Sequence, residues 1–210
     1  RHLWRTVLAE RPTAWRAWWG LGAAELRAGQ VAAAVPALQQ AHNLYPEHYD
    51  VLRNYVEALV WLPLEQQRPF AAVVAAERFA AAGPRDPWAR TLLAEAQIQV
   101  ARATGSADWS NVAERTALSC LEIAPAKALV YRTAAAACRV RGDFAAALAH
   151  LDQSLARGLA AVAVRVDRAA VLRDLGRIRD ADRELQRAQM QAPGDPMVLH
   201  ALQQAARPMR

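Results

Sequence analysis

Apolar residues return along this chain at the spacing of a helix face, and the two-residue alternation of a half-buried strand is missing. The opening stretch sets the pattern, with Leu3, Trp4, Val7 and Leu8 on one side of an amphipathic helix. Alanine is abundant and β-branched residues are sparse outside a few valine clusters, which favours helix because alanine loses little side-chain entropy there. Glycines are single and mostly fall where an apolar helical pattern stops. The expected fold class is all-α.

The helices repeat. Segments 129–159 and 163–193 align without gaps, and Gly142 and Gly176 correspond at a separation of 34 residues. A third copy, 16–46, places Gly29 at the same point. A repeat of this length is one helix pair that cannot bury its apolar face alone, so neighbouring copies must stack. Each recurring position has a physical reason. Small residues let two antiparallel helices approach closely. Glycine ends the first helix because it tolerates a left-handed backbone. Proline after the second helix cannot continue it.

In period and in residues the chain resembles the tetratricopeptide-repeat (TPR) family. Counting from Trp15, Trp18, Leu21, Gly22, Gly29, Ala34, Leu38, Ala41 and Pro46 stand where that family wants them, and Glu25 departs at a position that is usually aromatic. Counting from Val162, Ala169, Leu172, Gly176, Ala181, Leu185, Ala188 and Pro193 do the same. The copy beginning at Ala128 carries Tyr131, Ala135, Cys138, Gly142, Ala147 and Leu151, but has Leu159 in place of the closing proline. The resemblance implies a right-handed α-solenoid of about five helix-turn-helix repeats. They are read as 15–48, 49–86, 87–127, 128–161 and 162–195, with an extra helix at 1–14 and a capping helix at 196–210, all in one domain, 1–210. The second and third copies are degenerate and longer. Their extra residues fall between the two helices, near Pro63 and at 104–108, where Asp108 is expected to cap the next helix and Pro125 to close the repeat.

In the family the first helices of the repeats line a concave face. Mapped by position, the partner-binding candidates are Arg16, Trp19, Arg53, Trp61, Trp88, Arg132 and Arg139. Tryptophans beside arginines suit a groove that takes a peptide through aromatic anchors and Arg–carboxylate contacts. Arg53 and Asn54 occupy two positions of the carboxylate clamp found in one variant of the family. Ala23 leaves that clamp incomplete, so recognition of chaperone tails is not expected.

Charge changes this picture little. The net charge is +6, and Lys127 is the single lysine. Thirteen basic groups face twelve acidic ones up to Lys127, and thirteen face eight after it, so the excess lies in the last third. A basic solenoid that binds RNA is one alternative; nucleic acid is otherwise not the expected partner. The composition suits a solvated helical surface from an arginine-preferring, GC-rich bacterial genome.

Cys120 and Cys138 fall on apolar helix faces without metal or redox spacing and read as buried thiols, a disulfide being the alternative. His2, His42, His48, His150 and His200 show no ligand spacing, and phosphate-loop, GxSxG, HExxH and CxxC patterns are missing. No catalytic residues, cofactors or metals are therefore expected.

The most apolar run, 70–82, is broken by Glu77 and Arg78 and is too short to span a bilayer. The expectation is a non-catalytic scaffold for a protein or peptide partner, within a larger bacterial protein or complex, in the cytoplasm or the periplasm. Residues 3–15 resemble the juncture where repeat tails follow membrane-embedded glycosyltransferases or polysaccharide-export proteins, which implies a periplasmic location as an alternative. Self-association through the stacked ends is the third expectation.

Overall fold

The computed structural model describes residues 1–124, 126–159 and 161–206. Pro125 and the last four residues of the 196–210 cap lie outside them. Twelve α-helices and no strand occur among the described residues. In order they are α1 (His2–Glu10), α2 (Trp15–Arg27), α3 (Val31–Leu44), α4 (Tyr49–Val60), α5 (Pro69–Ala82), α6 (Pro87–Thr104), α7 (Ala107–Ser119), α8 (Ala128–Val140), α9 (Phe144–Ala156), α10 (Ala161–Asp174), α11 (Ile178–Gln191) and α12 (Pro196–Ala205). This is the all-α repeat architecture that the spacing implies. The helices fall into two compact units, Arg1–Thr104 with α1 to α6 and Gly105–Arg210 with α7 to α12.

Within unit 1, α2 packs on α3 and α4 on α5, and α2, α4 and α6 also meet in succession. Unit 2 repeats the scheme with α8 on α9 and α10 on α11, while α10 touches both α8 and α12. Small residues make the close pairs. Ala34, Ala147 and Ala181 share one repeat position, Ala41, Ser154 and Ala188 another, and all six are fully buried. Gly22 is the tightest case, because a Cβ there would stand 2.7 Å from Leu38 Cδ2, inside contact distance. Leu38, Leu151 and Leu185 fill the space beside these positions in their own repeats.

The first helices of the regular repeats end as expected. Gly29, Gly142 and Gly176 have φ of 72°, 81° and 72°. The next residue's N–H then reaches back to the carbonyls of Glu25, Cys138 and Leu172 at 2.9, 3.0 and 2.8 Å, satisfying groups that a helix end leaves open.

The second helices end in two ways. α3, α5 and α11 stop at an extended residue before proline, with φ of −147° at Tyr45, −128° at Gly83 and −146° at Ala192. α9, which lacks the proline, stops at Gly158 with φ of 66°, and Leu159 N–H closes on the Ser154 carbonyl at 3.0 Å.

The cap of α7 corrects one expectation. Ser106, not Asp108, is the N-cap, its hydroxyl oxygen accepting the Trp109 N–H at 3.4 Å. Asp108 sits inside the first turn, where its charge still suits the helix N-terminus.

Glu25 keeps its unusual place by ion pairing. It is 4% exposed and faces Arg1 at 3.3 Å and Arg5 at 3.8 Å, so α1 supplies the charge that neutralises it.

Candidate functional site

Five of the seven residues singled out from the sequence lie in unit 1. They belong to two aromatic clusters built from the first helices of its repeats and the residues that flank them.

The larger cluster is built around Glu57 of α4. Arg53, one turn earlier, donates from Nε to Glu57 Oε1 at 3.0 Å. Trp88 Nε1 donates to the same oxygen at 2.6 Å. The Trp88 ring meets Trp61 edge to face, with centroids 6.2 Å apart. Trp88 is held from behind by Asp86, which accepts the Trp88 N–H at 2.8 Å and also accepts the Tyr49 hydroxyl. Burial first, and then that bond, pushes the Tyr49 hydroxyl up to about 12, so Tyr49 remains a donor. Gln99 of α6 donates to the Val60 carbonyl at 2.7 Å and fixes the end of α4 just before Trp61.

The result is a rigid pair of indoles beside a guanidinium. Trp88 is half-buried and committed, Arg53 is exposed, and Trp61 keeps 45% of its surface accessible. Spacing from the family pattern singled out Arg53, Trp61 and Trp88 as candidates, and Glu57, which was not singled out, joins Arg53 to Trp88. The family pattern assigns Glu57 to the same face, and its acidity one turn from Arg53 was the available signal.

Trp19 and Arg16 of α2 belong to the second cluster. Trp15, Tyr45 and His48 pack in a triangle with centroids 4.8–5.5 Å apart, and Trp19 lies 6.0 Å from the His48 ring. Arg16 places its guanidinium 4.6 Å from the Trp15 ring centroid, a cation–π contact. Trp19 Nε1 is buried without a hydrogen-bond acceptor among the described residues.

Arg132 and Arg139 lie in unit 2, where each meets an aspartate of the next first helix, Asp167 and Asp174 respectively. These bonds run from α8 to α10 and tie consecutive repeats. A cleft of about 450 Å³ lies nearby, floored by Val166, Ala169 and Ala170 of α10 and rimmed by Arg139, Arg173, His200 and Gln204. Arg173 donates to the Ala205 carbonyl at 3.1 Å and so pins α12 against α10.

Most of the described unit 2 arginines are paired in the same way. Glu184, 5% exposed, receives Arg165 at 2.9 Å, Arg187 at 3.0 Å and Arg168 at 3.2 Å. These arginines are engaged within the fold, while the last third still carries more basic than acidic groups.

One further cluster in unit 2 had no signal in the sequence. Glu114 of α7, Cys138 of α8 and His150 of α9 bring a carboxylate oxygen, a thiol sulfur and an imidazole nitrogen within 4.8 Å of one another. His150 Nε2 lies 2.8 Å from Glu114 Oε1, and Arg141 Nη1 lies 2.6 Å from Oε2. Burial, with the Glu114 carboxylate beside it, pushes the Cys138 thiol up to about 12. Burial alone would raise the Glu114 carboxyl, but hydrogen bonds from His150, Arg141 and Cys138 outweigh it and hold the group below its usual range. Cys138 and Cys120 are both buried and not joined in a disulfide, as the sequence suggested.

Residues 15–58 match the tetratricopeptide-repeat family. No curated protein matches the chain. Among solved structures, the chain is similar to a thermophilic TPR protein of Thermus thermophilus, at 21% identity and a TM-score of 0.75 over 91% of this chain and 98% of that one. It is similar to PilW, a widely conserved type IV pilus biogenesis factor, at 15% identity and 0.67 over 95% and 87%. It is similar to YrrB, a TPR protein with an unusual peptide-binding site, at 11% identity and 0.55 over 95% and 97%. At these identities the likeness speaks for the fold. Residues 15–58 thus match the tetratricopeptide repeat by sequence, and most of the chain's length shares the fold of tetratricopeptide-repeat proteins.

Proposed function

We propose that this chain is a non-catalytic scaffold that holds a protein or peptide partner on the first-helix face of its repeats, with Trp61 as the main anchor in unit 1. The observation that carries the reading is the accessible indole of Trp61. It is braced by Trp88, which Glu57 and Asp86 lock in place, and Trp88 shares Glu57 with the exposed Arg53. A large apolar ring costs free energy in water unless something covers it, and a ring already immobilised loses little entropy on binding. Arg53 adds a charged neighbour that suits a carboxylate of the partner.

That the fold neighbour YrrB has a peptide-binding site adds weight to this reading. A basic RNA-binding solenoid draws less support, because most of the described unit 2 arginines face carboxylates of their own chain. No helix among the described residues is long and apolar enough to cross a membrane. A periplasmic setting beside an envelope protein remains a reading of residues 3–15.

Peptides selected on the whole chain from a random library provide the test. Trp61→Ala should weaken their binding by at least about tenfold, as loss of a central aromatic anchor does. Phe70→Ala, which removes an exposed ring from a second helix, should leave it unchanged. Equal loss in the two variants, or none in Trp61→Ala, overturns the assignment.

A further inference from the structure

We infer that Glu114, Cys138 and His150 form a binding site for a divalent transition-metal ion of the zinc class, with the fourth position left to water. The three side chains come from three successive helices, and their ligand atoms converge within 4.8 Å. A thiolate, an imidazole and a carboxylate are together the donor set that zinc takes, and hard cations such as magnesium avoid it. Cys138 is fully buried, whereas Glu114 and His150 are half-buried, so the cluster opens to water on the side of the latter two.

Charge points the same way. With the thiol protonated, Glu114, Asp143 and Arg141 leave the group with one net negative charge, Arg141 Nη2 lying 3.2 Å from Asp143 Oδ2. A dication that displaces the Cys138 proton to solvent brings the same set to neutrality. The thiol is hard to ionise beside a carboxylate alone, and a bound dication reverses that balance.

Arg141 fits the arrangement as a support. It holds Glu114 by Oε2 and leaves Oε1 turned toward His150. It also lies 3.4 Å from the Cys138 sulfur, close enough to stabilise a metal-bound thiolate. His150 Nδ1 has no partner among the described residues, so only one nitrogen of the ring is committed to the protein. When one ring nitrogen takes the metal, the imidazole proton resides on the other. No electron transfer is involved.

Cobalt(II) titrated into the whole chain tests the site. One equivalent should produce the near-ultraviolet band of a cobalt–thiolate bond together with the intense visible bands of tetrahedral cobalt, and zinc should then bleach both. Cys138→Ala should abolish the thiolate band, and Cys120→Ala should leave it intact. Glu114→Gln and His150→Gln, which keep polar side chains in place, should each weaken zinc binding by at least about tenfold, the loss that even outer-sphere partners cause. Circular dichroism identifies the variants that remain folded, with Cys138→Ser as the substitute if Cys138→Ala unfolds. The proposal is overturned if excess cobalt gives no thiolate band, if the band survives without Cys138, or if the Glu114 and His150 variants bind zinc as the parent does.

Discussion

The two units bury acidic residues for different ends. In unit 1, Glu57 gathers Arg53 and Trp88 and so shapes an aromatic surface, while Glu25 anchors α1 through Arg1 and Arg5. In unit 2, Glu184 gathers Arg165, Arg168 and Arg187, and Arg132–Asp167 and Arg139–Asp174 tie one first helix to the next. The cores differ to match. Unit 1 fills the space between α4, α5 and α6 with Val56, Leu59, Phe79, Leu92 and Val100, all fully buried. α11 of unit 2 buries Ala181, Leu185, Ala188 and Glu184, carboxylate included. One repeat scheme thus tolerates different balances, unit 2 adding ion pairs between helices to apolar clusters around Leu151, Val164 and Val171 and around Leu172 and Leu185. Charge ties helices without demanding the same side-chain volumes, at the cost of desolvating both partners.

The largest test of this contrast is Glu184→Gln. It should destabilise the chain by about 3 kcal/mol in urea unfolding, because it leaves Arg165 and Arg168 side by side and largely desolvated. A loss below about 1 kcal/mol would mean that the arginines find water, and that charge does not hold unit 2 together.

Next comes Gly22→Ala in unit 1, expected to cost about 1–3 kcal/mol through overpacking against Leu38. The same repeat position in unit 2 is already alanine, Ala135, and buried. Its change to glycine should cost about 1 kcal/mol, from helix propensity and a lost methyl. Similar effects at the two sites would show that α2 and α3 are not packed more tightly than α8 and α9.

The smallest effect concerns acid. The folded Glu114 carboxyl lies below the ordinary value of 4.5, so its protonation favours the unfolded chain. Its contribution is complete above that value and fades as pH falls through the lower folded one. Glu114→Gln should lower stability at neutral pH and make the acid limb of the stability profile shallower. An unchanged acid limb would place the acid-sensitive groups elsewhere.

Much of this was legible in the chain itself, for a local reason. Gly29, Gly142 and Gly176 each need a left-handed backbone, and that need is a property of one residue and its neighbours. The small residues at Ala34, Ala147 and Ala181 recur because identical contacts recur. Where the repeat pattern or its expected cap departs, a second solution serves equally. Gly158 ends α9 as well as a proline would, and Ser106 caps α7 in place of the expected Asp108.

The aromatic face stands between the two cases. Position in the repeat put Trp61 and Trp88 on first helices. That their rings meet, and that Asp86 and Glu57 fix Trp88 while Trp61 stays accessible, depends on how α4 and α6 pack.

By itself, then, the sequence determined the helices, their pairing and their ends, since each follows from spacing within a few dozen residues. Tertiary structure alone decided which charges meet and which polar atoms converge. Glu114, Cys138 and His150 lie far apart in the chain, each on a helix whose own pattern gives no reason to single it out. Only the stacking of α7, α8 and α9 brings their side chains to one point.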